Sequence, residues 1–332
     1  MIDRRQFLGI AAAGTLALAT AVGLRAQPAG RVYRVGWIGT LPPDREPAWR
    51  RIDDEFRTLG YVEGRNLVLE RRFTEGRSER YAELVADLVR LDVDVIVVAS
   101  DVGVRAAKAT TTRIPIVMYG VTDPVGFGLI ASYARPGGNV TGLVDHSFAA
   151  LHLKRLELLK SVAPKARRVA WLQGDFHGLD SAQAAVRRKE IEAGEAALGV
   201  TSPRVQLNVK EDFERAAAEV LRERADALVL SPNPVNHALR QEIAEFALKQ
   251  RLPAVGGGRA HVDAGLLAGF GPVWPVSEIV GYVDRILRGA KPAELPASQS
   301  SRFDTALNLH TAAALGLTVP DSVRMRADYV VG

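Results

Sequence analysis

From Val32 onward the chain alternates short runs rich in Val, Ile and Leu with longer amphipathic stretches, and no other feature limits its fold so severely. Short unbroken apolar runs are strands buried on both faces, and a parallel sheet with crossover helices is the arrangement that buries them so. The strand runs are Val32 to Ile38, Asn66 to Arg71, Val93 to Ala99, Ile114 to Tyr119, Val140 to Val144, Arg168 to Leu172, Arg204 to Asn208, Ala227 to Leu230, Pro253 to Gly256 and Leu266 to Phe270. Helices are expected between them, among them Trp49 to Leu59, Tyr81 to Leu91, Leu151 to Val162, Ser181 to Leu198, Asp212 to Arg224 and His237 to Gln250. The pattern predicts a doubly wound α/β fold.

An internal echo divides that fold in two. Arg113-Ile114-Pro115-Ile116-Val117-Met118-Tyr119-Gly120 returns as Arg251-Leu252-Pro253-Ala254-Val255-Gly256-Gly257-Gly258. Each copy follows a helix ending in Arg, an Asp, a β run and a Ser: Arg90, Asp94 and Ser100 in the first, Arg224, Asp226 and Ser231 in the second. The spacings differ, so the halves are similar rather than duplicated, and two Rossmann-like lobes are the reading. A ligand cleft is then expected between the carboxyl ends of their strands.

The first residues read as an address rather than as fold. Asp3-Arg4-Arg5-Gln6-Phe7-Leu8 is a twin-arginine region, Gly9 to Val22 is a mildly apolar stretch, and cleavage is expected after Ala26, leaving residues 1–26 as a signal peptide. The formal charge is +5, of which this segment holds +2 (Arg4, Arg5 and Arg25 against Asp3), leaving +3, too small and scattered an excess to argue for nucleic acid. The chain has no cysteine, which excludes disulfides, thiol nucleophiles, Cys-ligated zinc and a lipid-modified N-terminal cysteine. No later apolar run is long enough for a membrane span, so a free periplasmic protein is expected.

Several segments resemble a known family. They are Tyr33-Arg34-Val35-Gly36, Leu59-Gly60-Tyr61-Val62-Glu63-Gly64-Arg65-Asn66, Ile114-Pro115-Ile116-Val117 with Asp123-Pro124-Val125-Gly126, Ala134-Arg135-Pro136-Gly137-Gly138-Asn139-Val140-Thr141-Gly142, Lys154-Arg155-Leu156-Glu157-Leu158-Leu159-Lys160, and Ala314-Leu315-Gly316-Leu317-Thr318-Val319-Pro320. Together they are similar to the ABC-transporter substrate-binding proteins of periplasmic-binding type I fold, in the branch of tryptophan-type and uncharacterised solute-binding proteins. The resemblance implies a monomer that captures a small solute between two hinged lobes and delivers it to a membrane permease, with no cofactor and no chemistry performed. The motif inventory agrees: no G-x-S-x-G, H-E-x-x-H, P-loop or strand-linked G-x-G-x-x-G occurs, and the six histidines show no metal spacing. An exported hydrolase or isomerase on the same fold stays open, because a general base needs no motif. So does a receptor that serves a sensor.

Composition also suggests where the chain changes lobe: near Asp145 to Phe148, near Phe270-Gly271-Pro272, and after the Pro-rich Lys291 to Pro296, with Phe303 to Asn308 as a late strand. The first lobe is then residues 32–146 with about 271–296, the second 147–270 with about 297–332.

Binding residues are expected where strands end and helices begin, because helix N-termini offer backbone donors. In the first lobe these are Gly39, Thr40, Ser100, Asp101, Tyr119, Gly120 and Thr122; in the second, Gln173, Asp175, Ser231, Asn233, Gly258 and Arg259. Ser100 and Ser231 read equally well as plain helix caps. Asp123 before Pro124 reads as a cap with Pro at the first helical position. Asp101 is either a cap or a carboxylate facing the cleft, where it would attract an amine. Arg259 would reach a ligand carboxylate or form a surface ion pair. Trp37 and Trp171, inside strand runs, are expected in the core. With aromatics at 6% of the chain, a compact polar solute of amino-acid size is expected rather than one held in an aromatic cage.

Overall fold

The computed structural model describes residues 30–145, 148–174, 181–273, 275–299 and 301–332. The signal-peptide expectation, with Arg4 and Arg5, lies outside them. The chain runs β1 (Tyr33–Gly39), α1 (Ala48–Thr58), β2 (Leu67–Phe73), α2 (Arg80–Arg90), β3 (Val95–Ala99), α3 (Asp101–Thr110), β4 (Ile116–Val121) and β5 (Val140–Val144). It continues with α4 (Phe148–Val162), β6 (Val169–Gln173), α5 (Ser181–Ala197), β7 (Arg204–Gln206), α6 (Phe213–Arg222), β8 (Ala227–Leu230), α7 (Pro234–Ala238), α8 (Arg240–Lys249), β9 (Ala254–Gly256), α9 (Arg259–Asp263) and β10 (Ala268–Pro272). Then follow α10 (Val276–Leu287), β11 (Ser298–Gln299), β12 (Phe303–Asn308), α11 (Leu309–Leu315), α12 (Asp321–Arg324) and β13 (Tyr329–Val331).

Two sheets result, in the orders β11-β5-β4-β3-β1-β2 and β13-β12-β10-β9-β8-β6-β7. The orders correspond strand for strand, β1 with β6 through β5 with β10, so the expected pair of doubly wound lobes is what forms. Pairing is parallel except for β12 against β10. The echoed octets fall on β4 and β9, in equivalent places, and the echoed aspartates share one task. Asp94 Oδ2 accepts the Arg34 N–H at 2.8 Å at the start of β1, and Asp226 accepts the Arg167 and Arg168 N–H groups at the start of β6.

Strand alternation sorts side chains to opposite faces. In the first sheet Val35, Trp37, Val95 and Val97 meet α1 and α10, while Ile38, Ile96 and Val98 meet α2 and α3. In the second, Val169, Trp171 and Val229 face α4, whereas Ala170, Leu172 and Leu228 face α6 and α8. All four apolar clusters stay within their own lobes.

The chain crosses between β5 and α4, between β10 and α10, and between β11 and β12. Two crossings lie slightly later than composition suggested. β10 keeps its pairing with β12 through Pro272, and Ser298 and Gln299 add a short edge strand to β5, so the first lobe's return segment extends beyond 296. Expected helix 237–250 is broken in two at Leu239. No helix follows Pro124; residues 124–128 form turns, with Asp123 Oδ1 accepting the Gly126 N–H at 2.9 Å. Among the described residues no helix is long and apolar enough to cross a membrane.

One close approach holds the first sheet together. Gly142 in β5 has φ +135°, and a Cβ there would lie 2.2 Å from the Met118 carbonyl oxygen of β4. Gly142→Ala should therefore cost more than about 3 kcal/mol in urea unfolding, strain adding to collision. Gly281 sits in α10 with nothing within 4 Å of its would-be Cβ, so Gly281→Ala should add up to about 1 kcal/mol by the same measurement. Equal effects of the two substitutions would contradict this account.

Candidate functional site

A cleft of about 710 Å³ opens between the carboxyl edges of the two sheets. Loops after β1, β3 and β4 line it from the first lobe, and loops after β8, β9 and β10 from the second. Its volume lies in the range of small-molecule sites.

Among the residues expected there, Gly39, Thr40, Ser100, Asp101, Tyr119, Gly120, Thr122, Ser231, Asn233, Gly258 and Arg259 line the cleft. Gln173 does not. It stays buried at the end of β6, its carbonyl accepting the Leu207 N–H at 2.8 Å, because β6 runs one residue further than its apolar run. Asp175 lies outside the described residues, as do Phe176, His146 and His177.

The strand-end residues divide their duties unequally. Ser100, at φ +69°, caps α3 by accepting the Gly103 N–H at 3.2 Å. Asp101 is thereby released from capping. Its Oδ1 accepts the Thr122 N–H at 3.1 Å and its Oδ2 accepts from the Thr122 hydroxyl at 3.4 Å. Burial pushes the Asp101 carboxyl up to about 6, against the lowering effect of Thr122 and Arg187. Ser231 is no cap: it accepts the Trp171 indole N–H at 2.6 Å, while Asn233 caps α7 through the Asn236 N–H at 2.8 Å, ahead of Pro234. Arg259 is engaged by the buried Asp304 at 2.5 Å and lies 5.0 Å from the Tyr329 ring centre, which makes it a partner of the protein rather than an open cation.

Sequence reasoning missed the residues that join the lobes. Glu46, just before α1, meets the His237 imidazole of α7 at 2.7 Å, and Arg240 reaches the same carboxylate at 3.9 Å and the Arg45 carbonyl at 3.1 Å. Burial raises the Glu46 carboxyl, but His237 and Arg240 more than offset it and hold it below the usual range. Asp123 faces Arg187 of α5 at 3.6 Å.

It also missed Arg155, only 1% exposed. Its Nε donates to the Phe270 carbonyl at 2.9 Å, while its buried Nη2 has no hydrogen-bond partner among the described residues. Burial lowers the guanidinium to about 10, with Asp145 opposing, so it remains charged at neutral pH. The signal was present in α4: Phe148, His152, Arg155, Leu159 and Val162 form one buried stripe at helical spacing, and an arginine on that stripe must point inward. Asn233 Nδ2 and His261 Nε2 are further second-lobe atoms on the cleft that are buried without a hydrogen-bond partner among the described residues. Burial first, then the charges of His237, Arg155 and Arg240, push His261 down to about 3, so it is neutral.

Trp37, Trp49, Tyr119, Phe127 and Phe148 also line the cleft, with Trp37 and Trp49 5.9 Å apart edge to face. The cleft thus gathers more aromatic surface than a chain with 6% aromatics was expected to offer, Tyr119 being the one that the sequence had placed there. Trp171 is in the core, stacked on His152 at 3.9 Å, and Trp37 serves both core and cleft. The floor is backbone where Gly257, Gly258 and Gly271 line it, and a Cβ on Gly271 would lie 2.0 Å from the Gly257 carbonyl oxygen.

A two-lobed binding protein is the class this fold and cleft define. Residues 44–331 match the family of ABC transporter substrate binding proteins, and the chain belongs to it, as the sequence resemblance implied. It is 25% identical over 281 residues to a tyrosine-binding protein of Clostridioides difficile, covering 82% of this chain and 75% of that protein. A solved ABC domain in complex with L-Trp from Streptococcus pneumonia superposes with a TM-score of 0.76 at 23% identity, covering 90% of this chain and 100% of that one. A conserved domain protein from Vibrio cholerae gives a TM-score of 0.76 at 25% identity over the same shares.

The raised Asp101 carboxyl has a consequence for stability. A folded-state value above the unfolded 3.8 favours the protonated fold, so this contribution is present below about pH 4 and is lost as pH rises through about 6. Asp101→Asn should therefore gain on wild type between pH 4 and 7 by on the order of 2 kcal/mol in urea unfolding. A stability difference that does not change with pH would refute the assignment.

Proposed function

We propose that the protein is an exported solute receptor that closes its two lobes on a small amino-acid-like solute and presents it to the permease of an ABC-type transporter. The observation that carries this is how the lobes meet. Each apolar cluster is confined to one lobe, whereas Glu46 with His237 and Arg240, and Asp123 with Arg187, are polar pairs across the cleft. Opening therefore leaves every apolar cluster intact and breaks polar pairs that water can replace, which suits hinged domains. Relatives that bind tyrosine or tryptophan, and the aromatic side of this cleft, support an amino acid with a ring or apolar side chain as the solute. The reading includes a monomer, a periplasmic location and no catalysed reaction.

Its test is a thermal-shift screen of L-amino acids, small carboxylates and ureas, alongside mass spectrometry of solute released from the purified protein. A ligand of the folded state at a hundredfold excess over Kd adds about 2.7 kcal/mol, so at least one compound should raise Tm by several degrees and be recovered unchanged. Quantitative conversion of that compound would favour an exported enzyme instead. Export is a separate expectation: replacing Arg4 and Arg5 with Lys should stop periplasmic accumulation and leave the mature fold intact. Undiminished export in a strain lacking the twin-arginine translocon would overturn that route.

A further inference from the structure

Several charged side chains on the cleft are engaged in ways that suit a solvated or self-neutralised surface. Glu46 is met by His237 and Arg240, and Asp304 by Arg259 and Arg302. Arg187 faces Asp123, and Asp101 takes both hydrogens of Thr122. Arg155 differs. It is buried, its Nε bonds a neutral carbonyl, its Nη2 has no hydrogen-bond partner among the described residues, and the carboxylate that acts on its charge is Asp145, itself buried on the same cleft. A buried cation left in that condition is costly, and an anion brought alongside would be held strongly and, through the guanidinium fork, in one orientation.

The surroundings suit a carboxylate in particular. Asn233 Nδ2 is a second buried donor without a partner, and His261 Nε2 a third group able to donate in one tautomer. All three side chains belong to the second lobe and line the same cleft, and Arg155 and His261 are close enough to influence each other's charge. The neighbouring glycines keep the space clear: the would-be Cβ of Gly271 lies 3.7 Å from Arg155 Nη2. The opposite wall sets Trp37, Trp49, Tyr119 and Phe127 beside the carboxylates of Glu46 and Asp101, anions that do not compete with Arg155 for the solute's carboxylate.

We propose that Arg155 is the group that receives the carboxylate of the solute, with Asn233 and His261 beside it, and that it selects free carboxylic acids over their amides and amines. This rests on the receptor reading above and makes Arg155 a specificity-determining residue within it. Arg259, which the sequence pointed to, is excluded from the part by Asp304.

The experiment is titration calorimetry with the twenty L-amino acids, then with the α-amide and the decarboxylated amine of the tightest binder. Wild type should bind the acid at least roughly 50-fold more tightly than either analogue, because each analogue leaves buried donors unpaired. Arg155→Met should weaken the acid by roughly 100-fold and bring the acid-to-amide ratio below about threefold, whereas Arg155→Lys should keep part of the preference. A structural role alone would lower affinity for acid and amide together and leave their ratio unchanged. Should the methionine variant not fold, the wild-type comparison decides by itself: an amide that binds as well as its acid overturns the proposal. A retained solute that mass spectrometry shows to carry no anionic group also overturns it while leaving the receptor reading standing. A protein that retains no solute and binds nothing in either panel removes both.

Discussion

Strands that run parallel deliver all their carboxyl ends to one edge, and everything described here depends on that polarity being used twice. Because β1 through β5 and β6 through β10 repeat one order, each lobe has a single edge from which its loops project, and both edges border the same cleft. The register that makes this possible is fixed at the opposite ends. Asp94 and Asp226 fasten the first residues of β1 and β6, so a carboxylate far from the cleft decides where the strand reaches it.

The cleft is a place where desolvation is managed rather than avoided. Its rim charges neutralise one another across the gap, and such pairs contribute modestly to stability because water competes for them. They fix alignment instead. Asp101 and Arg155 carry the cost of burial on hydrogen bonds to Thr122 and to the Phe270 carbonyl, with Arg187 and Asp145 acting on them only through their charge, and that sets them apart from the residues that join the lobes. His261, pushed toward its neutral form beside Arg155, avoids adding a second buried positive charge to the first.

Much of the architecture was legible because burial on both faces leaves an unmistakable mark on a strand. Val140 to Val144 and Ala227 to Leu230 end where their apolar runs end. Elements without a core face to advertise, such as the two-residue β11 and the half-exposed β13, left no such trace. Among cleft residues, those fixed by local geometry could be read: a strand end followed by Ser-Asp or Asn-Pro announces a turn into a helix whatever surrounds it. Arg155 could not be read that way, although its stripe in α4 was visible, because flanking Lys154 and Glu157 suggested a solvated face and only the packing of α4 on the second sheet decides otherwise. Glu46 and His237 are 191 residues apart, and no local pattern links them.

The bare floor bears on how such a receptor changes its preference over evolutionary time. At Gly269 and Gly271 the backbones of β10 and the loop after β9 lie so close that any side chain would force them apart. Of the two, Gly271 lines the cleft, so substitution is barred at that point and change for new solutes falls to side chains of the walls, such as Trp37, Tyr119 and Phe127 on the opposite lobe. One lobe can stay constant as the grip while the other drifts as the gauge, so lineages descended from this scaffold would differ in what they accept on one side of the cleft and agree on the other.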